Sequence, residues 1–176
     1  AAMSACEKGG EWERAAGLLE GALQGRLSPD IVTCNAATSA CEKGGQWALA
    51  VGLLSQAPIL GLPPDAFTYN AASSACEAGA QWAPAVALLH SLRRSSLQPT
   101  VVSYNAAVSA CVAGKRWELA LHLLWEMQGT HLLPDIITYN AVVSACDVGG
   151  LWGHALQLLD ELQHVGHVPD AITYNT

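Results

Sequence analysis

The sequence is short of positive charge. Eight lysines and arginines face fifteen aspartates and glutamates, a formal net charge of −7 over 176 residues. A protein that binds nucleic acid irrespective of sequence carries a basic footprint, so this balance counts against strong, sequence-blind binding. Long apolar runs are missing too. Hydrophobic residues make up 51% of the chain, but much of that is alanine, and serine, glycine or charge interrupts every run. None approaches the roughly 18 consecutive apolar residues of a membrane span. There is neither a secretory signal nor an Arg/Ser-rich transit segment. No Cys-x-x-Cys spacing points to zinc and no phosphate-binding loop is present. His90, His122, His131, His154, His164 and His167 share no repeating position. His164 and His167 have helical spacing but lack a third ligand. No catalytic residues, metal or cofactor are expected in this segment.

What the chain has is a beat. Asn35, Asn70, Asn105, Asn140 and Asn175 are each 35 residues apart, as are Cys6, Cys41, Cys76, Cys111 and Cys146. Trp12, Trp47, Trp82, Trp117 and Trp152 keep the same period, and so do Pro29, Pro64, Pro99, Pro134 and Pro169. A fixed period without insertions means stacked repeats rather than a closed globule. One array over 1–176 is expected, with full repeats at 31–65, 66–100, 101–135 and 136–170 and partial ones at 1–30 and 171–176. Neither end offers a polar-faced cap, so the chain reads as a piece of a longer array. The cysteines hold equivalent positions in neighbouring repeats, about 10 Å apart. That is too far for a disulfide, which needs Cα atoms about 4.4–6.8 Å apart, and reduced, buried thiols are expected. Cys34 stands where the other repeats have Tyr69, Tyr104, Tyr139 and Tyr174.

In the repeat 136–170, Thr138 to about Val148 reads as a first helix, broken by Gly149-Gly150, and Leu151 to about Gln163 as a second. Gly9, Gly44, Gly79, Gly114 and Gly149 occupy the break in successive repeats, as a left-handed helix cap would require. Trp152, Ala155, Leu158 and Leu159 share one face of the second helix. The first helix carries small residues instead, such as Ala141, Ser144, Ala145 and Cys146, which let helices approach closely. The tryptophans are therefore assigned to the core, with Trp125 outside the pattern. The expected architecture is an all-α solenoid of tandem 35-residue helix-turn-helix repeats, wound as a right-handed superhelix.

Some recurrent residues are not explained by packing. Asparagine is a mediocre helix former, yet one stands near the start of every first helix, while Lys8 and Lys43 drift to Ala78, Ala113 and Val148. It serves either a structural hydrogen bond or a ligand. Asp30, Asp65, Thr100, Asp135 and Asp170 close the repeats. They can cap the next helix, contact a ligand, or do both. Between them lie the apolar residues Val32, Phe67, Val102, Ile137 and Ile172. An apolar group, an amide and an acceptor lined up at every step suit a reader of a linear polymer.

At these residues the chain resembles the pentatricopeptide repeat family. The likeness rests on the 35-residue period, the Pro-Asp end, the Ile137-Thr138-Tyr139-Asn140 opening and the glycine break, and it covers essentially the whole chain. The Ser-Ala-Cys and Gly-Gly-x-Trp flavour is similar to alanine-rich versions in some unicellular algae. Tetratricopeptide repeats, with a 34-residue period and a different signature, fit less well. The resemblance implies binding of single-stranded RNA, one base per repeat, on the concave face of the first helices. It implies that Val32, Phe67, Val102, Ile137 and Ile172 sandwich bases. It further implies that Asn35 with Asp65, Asn105 with Asp135, and Asn140 with Asp170 read uridine, while Asn70 with Thr100 accepts a pyrimidine. The implied target is U-Y-U-U. Only Lys8 and Lys43 match a basic residue that helps near the phosphates, so a fragment of this size is expected to bind weakly. Family habit points to RNA processing or stability in a mitochondrion or plastid, with no DNA or membrane partner. The alternative is a protein-binding scaffold. The two separate on geometry: a reader needs its asparagines in file and exposed to the concavity, not buried in hydrogen bonds between helices.

Overall fold

The computed structural model describes residues 2–25, 29–166 and 168–175, apart from the side chains of Ile172 and Asn175. His167 and Ile172, both singled out above, thus lie outside the described residues or side chains. The described residues form eleven helices and no strand: α1 (Ala2–Gly9), α2 (Trp12–Gln24), α3 (Ile31–Lys43), α4 (Trp47–Gln56), α5 (Ala66–Ala78), α6 (Trp82–Arg94), α7 (Val101–Ala113), α8 (Trp117–Gly129), α9 (Ile136–Gly149), α10 (Trp152–His164) and α11 (Ala171–Asn175). None of them is long and apolar enough to cross a membrane. Odd-numbered helices are the first of each hairpin and even-numbered helices the second.

The first helices begin two residues earlier than Thr138 suggests, because the closing residue of the preceding repeat is the cap. The Asp135 carboxylate accepts from the Thr138 backbone N–H at 2.9 Å, so the helix starts at Ile136. Asp30 and Asp65 cap α3 and α5 in the same way, and Thr100 caps α7 through its hydroxyl.

Consecutive first helices pack directly on one another, and each second helix packs on its own first helix and, in α2, α4, α6 and α8, on the next one. Consecutive second helices do not pack closely, so the stack bends toward the first-helix layer, which forms its inner side. Small residues make this possible. Ala37, Ala40 and Cys41, then Ala72, Ala75 and Cys76, then Ala107, Ala110 and Cys111 are all fully buried. Their thiols are free, and burial pushes those of Cys41, Cys76 and Cys111 up to about 11, well away from reactive thiolate. Tyr104 and Tyr139 are fully buried and donate their hydroxyls to Glu126 and Glu161 of the same repeat, at 3.3 and 3.0 Å. The apolar ring thereby fills the core while its polar tip is satisfied.

The left-handed assignment of the break glycines is corrected by the backbone. Gly44, Gly79 and Gly114 have φ of −84°, −88° and −81°. The left-handed residue is the following one, which can be Gly45 but also Ala80 or Lys115. The glycine has a different purpose. A Cβ on Gly79 or Gly114 would lie 2.6 Å from Cδ1 of Trp47 or Trp82, and one on Gly149 would lie 3.0 Å from the ring of Trp117. Gly44 stands against Trp12 in the same manner. The tryptophan that opens each second helix wedges against the glycine of the next repeat. Trp152 has no such glycine among the described residues and is 78% exposed. Trp125 lies on the surface.

Candidate functional site

The inner layer presents one asparagine per repeat, each in the second turn of its helix and each half-buried: Asn35, Asn70, Asn105 and Asn140. Beside them Val32, Phe67, Val102 and Ile137 are 68%, 52%, 56% and 58% exposed. Four apolar side chains kept in water at one repeat position have no packing role to explain them. A cleft of about 520 Å³ is lined by Val32, Asn35, Asp65 and Phe67, with Met3, Ser4 and Glu7 at its other wall. Residues that the sequence pattern grouped from two neighbouring repeats thus meet in one concavity.

The amides are held between repeats. Asn35 Nδ2 donates to the Asp65 carboxylate at 3.2–3.3 Å, and Asn105 Nδ2 to Asp135 at 3.1–3.3 Å. Asn140 Nδ2 donates to Asp170 Oδ1 at 3.3 Å. The carbonyl ends are also engaged: the Thr68, Ser103 and Thr138 hydroxyls donate to Oδ1 of Asn35, Asn70 and Asn105 at 2.5, 2.7 and 2.5 Å. An asparagine amide can in principle offer a base both a donor and an acceptor, but not in these three repeats. The acceptor is taken, and what remains is an N–H. Asn70 Nδ2 has no protein acceptor among the described residues, because Thr100 replaces the aspartate. Capping and ligand contact turn out to be compatible, since each aspartate uses one carboxylate for the backbone of the next helix and for the asparagine.

Partial burial pushes the Asp65 and Asp135 carboxyls up, but hydrogen bonds from Thr68 or Thr138 and from Asn35 or Asn105 outweigh it, and both sit below the usual 3.8. The Asn35 and Asn105 steps therefore each pair an amide N–H with a carboxylate that is ionised at neutral pH.

Known proteins share this fold. The model of the pentatricopeptide repeat domain matches residues 87–150, and that of the PPR repeat matches 137–167. The crystal structure of PPR10 from maize, a pentatricopeptide repeat protein, superposes with a TM-score of 0.73 at 29% identity over 98% of this chain. These matches support a pentatricopeptide repeat protein. It spans only 25% of that PPR10 chain, and 29% of PPR10 solved in complex with an 18-nt psaJ RNA element, where the TM-score is 0.69 at 28% identity. The PPR domain of Arabidopsis thaliana protein-only RNase P 1, solved in complex with tRNA, matches with a TM-score of 0.84 over 98% of this chain and 91% of that one. At 14% identity it shares the fold alone. No curated protein sequence matches.

The basic side chains of this pentatricopeptide array are largely occupied. Lys43 Nζ donates to the Glu7 backbone carbonyl at 2.9 Å, fastening α3 to the end of α1, while Lys8 is exposed. Arg93 pairs with Glu126 and Tyr104, and Arg116 lies over the Trp82 ring at 4.6 Å. Acids stand on the inner face instead. Glu42 and Glu77 follow Asn35 and Asn70 by two helical turns, on the same face. Burial pushes both carboxyls up. For Glu42, Lys43 opposes the rise, whereas Glu77 and Glu7 add to it; for Glu77, a Ser109 hydrogen bond opposes it. This row repels a polyanion. Glu42→Gln with Glu77→Gln should tighten RNA binding a few-fold at low salt, as surface-charge energies allow. Wild-type affinity should rise as pH falls toward 5, because these carboxyls protonate earlier than ordinary glutamates. Anisotropy titrations of both proteins across pH and salt measure this, and equal affinities of the two would refute it.

Proposed function

We propose that this array binds single-stranded RNA, one base per repeat, with a preference for uridine and other pyrimidines. The observation that carries the reading is the file of Asn35, Asn70, Asn105 and Asn140, half-buried and, except at Asn70, bonded to the next repeat's aspartate, each with an exposed apolar neighbour. Uracil presents carbonyl acceptors on either side of its N3–H donor. An asparagine N–H can meet a carbonyl while the Asp65, Asp135 or Asp170 carboxylate accepts from N3–H. Thr100 can donate or accept, which leaves the Asn70 step open to either pyrimidine. Val32, Phe67, Val102 and Ile137 supply the flat apolar contacts between which bases stack. PPR10, similar over nearly the whole chain, has been crystallised with RNA, which supports the reading. We assign no catalysis to this segment, and place its action in organellar RNA processing or stability, in a mitochondrion or plastid, on family habit alone. The acidic row on the inner face favours the other reading, a scaffold for a basic protein segment.

A titration at fixed salt with U-rich, C-rich and A-rich 12-mers decides. The expected order is U above C above A, and Asn105→Ala with Asn140→Ala should abolish it. Binding to none of the RNAs by folded protein would turn the assignment to the scaffold.

A further inference from the structure

We propose that the hydroxyl at the third position of α5, α7 and α9 sets which end of the preceding repeat's asparagine faces the base. Thr68, Ser103 and Thr138 are then positioning residues for specificity, and the inference rests on the base-reading assignment above. An asparagine amide is nearly symmetric in shape and opposite in chemistry at its two ends, so a half-turn about its last torsion exchanges donor for acceptor. A reader must prevent that half-turn.

The geometry points to how it is prevented. In the Asn35 and Asn105 steps the hydroxyl oxygen accepts from the backbone N–H of Asp65 or Asp135 at 3.3 Å. Its one hydrogen then has two acceptors, Asn Oδ1 at 2.5 Å in both steps and the Asp65 or Asp135 carboxylate at 2.9 and 2.8 Å, and the asparagine is the nearer. A reversed amide would also set Oδ1 against the aspartate carboxylate, acceptor to acceptor. There the hydroxyl and the carboxylate agree. The Asn70 step isolates the hydroxyl. Thr100 provides no carboxylate, Ser103 Oγ accepts from the Thr100 N–H at 3.2 Å, and its donation to Asn70 Oδ1 at 2.7 Å is the only hydrogen bond to that amide among the described residues. Remove it and nothing from the protein distinguishes the two ends. In the Asn140 step the Thr173 hydroxyl likewise donates to Asp170 at 2.8 Å, but Asn140 Oδ1 is shielded without a hydrogen-bond partner among the described residues. The polarity of that amide is held by the aspartate alone.

The test compares the whole chain with Ser103→Ala and Ser103→Thr. Residual dipolar couplings of the Asn70 side-chain amide are recorded without RNA. Affinities are then measured for U-rich 12-mers carrying U, C, A or G at the base facing Asn70. Wild type and Ser103→Thr should show ordered couplings and favour pyrimidines. Ser103→Ala should show averaged couplings and lose discrimination by about three- to tenfold, the equivalent of one hydrogen bond. Ordered couplings in Ser103→Ala overturn the inference. So does an equal loss of affinity for all four bases, which would mark the hydroxyl as a helix cap only. A wild type without any base preference overturns the base-reading assignment itself, whereas a preference that survives Ser103→Ala overturns this inference alone.

Discussion

Gly114→Ala should destabilise the array by about 1–3 kcal/mol, the usual range for overpacking a filled site. Local considerations predict the opposite sign. Gly114 has φ −81°, a conformation any residue adopts, and alanine at a helix end normally gains stability over glycine. Packing decides against it. The new methyl would stand 2.6 Å from Trp82 Cδ1, 3.1 Å from Cγ and 3.2 Å from the Ala110 carbonyl oxygen, so the indole must move. Arg116, stacked on the same ring, would move with it. Because each repeat touches only its neighbours, the loss falls on the single junction between 66–100 and 101–135, and the thermal transition should broaden or split there. In a Trp82→Ala background the same glycine substitution should be neutral or stabilising, and a double-mutant cycle followed by circular dichroism measures the coupling. Additive effects would show that the glycine serves something other than the indole.

Phe67→Ala should weaken binding of U-rich RNA by about 1–3 kcal/mol, the loss expected for one stacked base, while leaving stability nearly unchanged. The ring is 52% exposed and lines the cleft beside Val32 and Asn35, so removing it takes little from the core and much from a bound base. Phe67→Ile, which restores the aliphatic character of Val32, Val102 and Ile137, should fall in between. Anisotropy titration and a thermal melt on the same samples separate the two quantities. A large fall in melting temperature with unchanged affinity would place Phe67 in the fold instead of the interface.

Much of this could be read before any coordinates were available, and the reason is translational order. When every thirty-fifth residue meets the same surroundings, Cys41, Cys76 and Cys111 announce themselves as buried by recurring. The pairing of Asn35 with Asp65, and of Val32 with Phe67, came from the family resemblance, and the structure places both pairs in one cleft. What stayed hidden was how residues of adjacent repeats meet. Gly79 and Gly114 recur as strictly as any cap residue would, and only the ring of the preceding tryptophan shows that space, not backbone freedom, requires them. Lys43 fitted a phosphate contact by position, yet its ammonium rests on the Glu7 carbonyl. Thr68, Ser103 and Thr138 stood in plain view between the apolar residue and the tyrosine. Their signal was a hydroxyl kept at every step, with threonine and serine interchanged, and its meaning depended on a partner 33 residues earlier.

That partnership has a consequence for how such arrays can change. The hydroxyl that faces Asn70 belongs to the following repeat, as do those facing Asn35 and Asn105. A segment cut at the repeat boundary therefore carries its own asparagine and closing residue but leaves its hydroxyl behind, and brings one that serves its predecessor. The unit that is duplicated or exchanged is offset from the unit that reads. Under the base-reading proposal, transplanting a single repeat leaves the preceding letter intact only where the third residue of the incoming first helix is again a serine or a threonine.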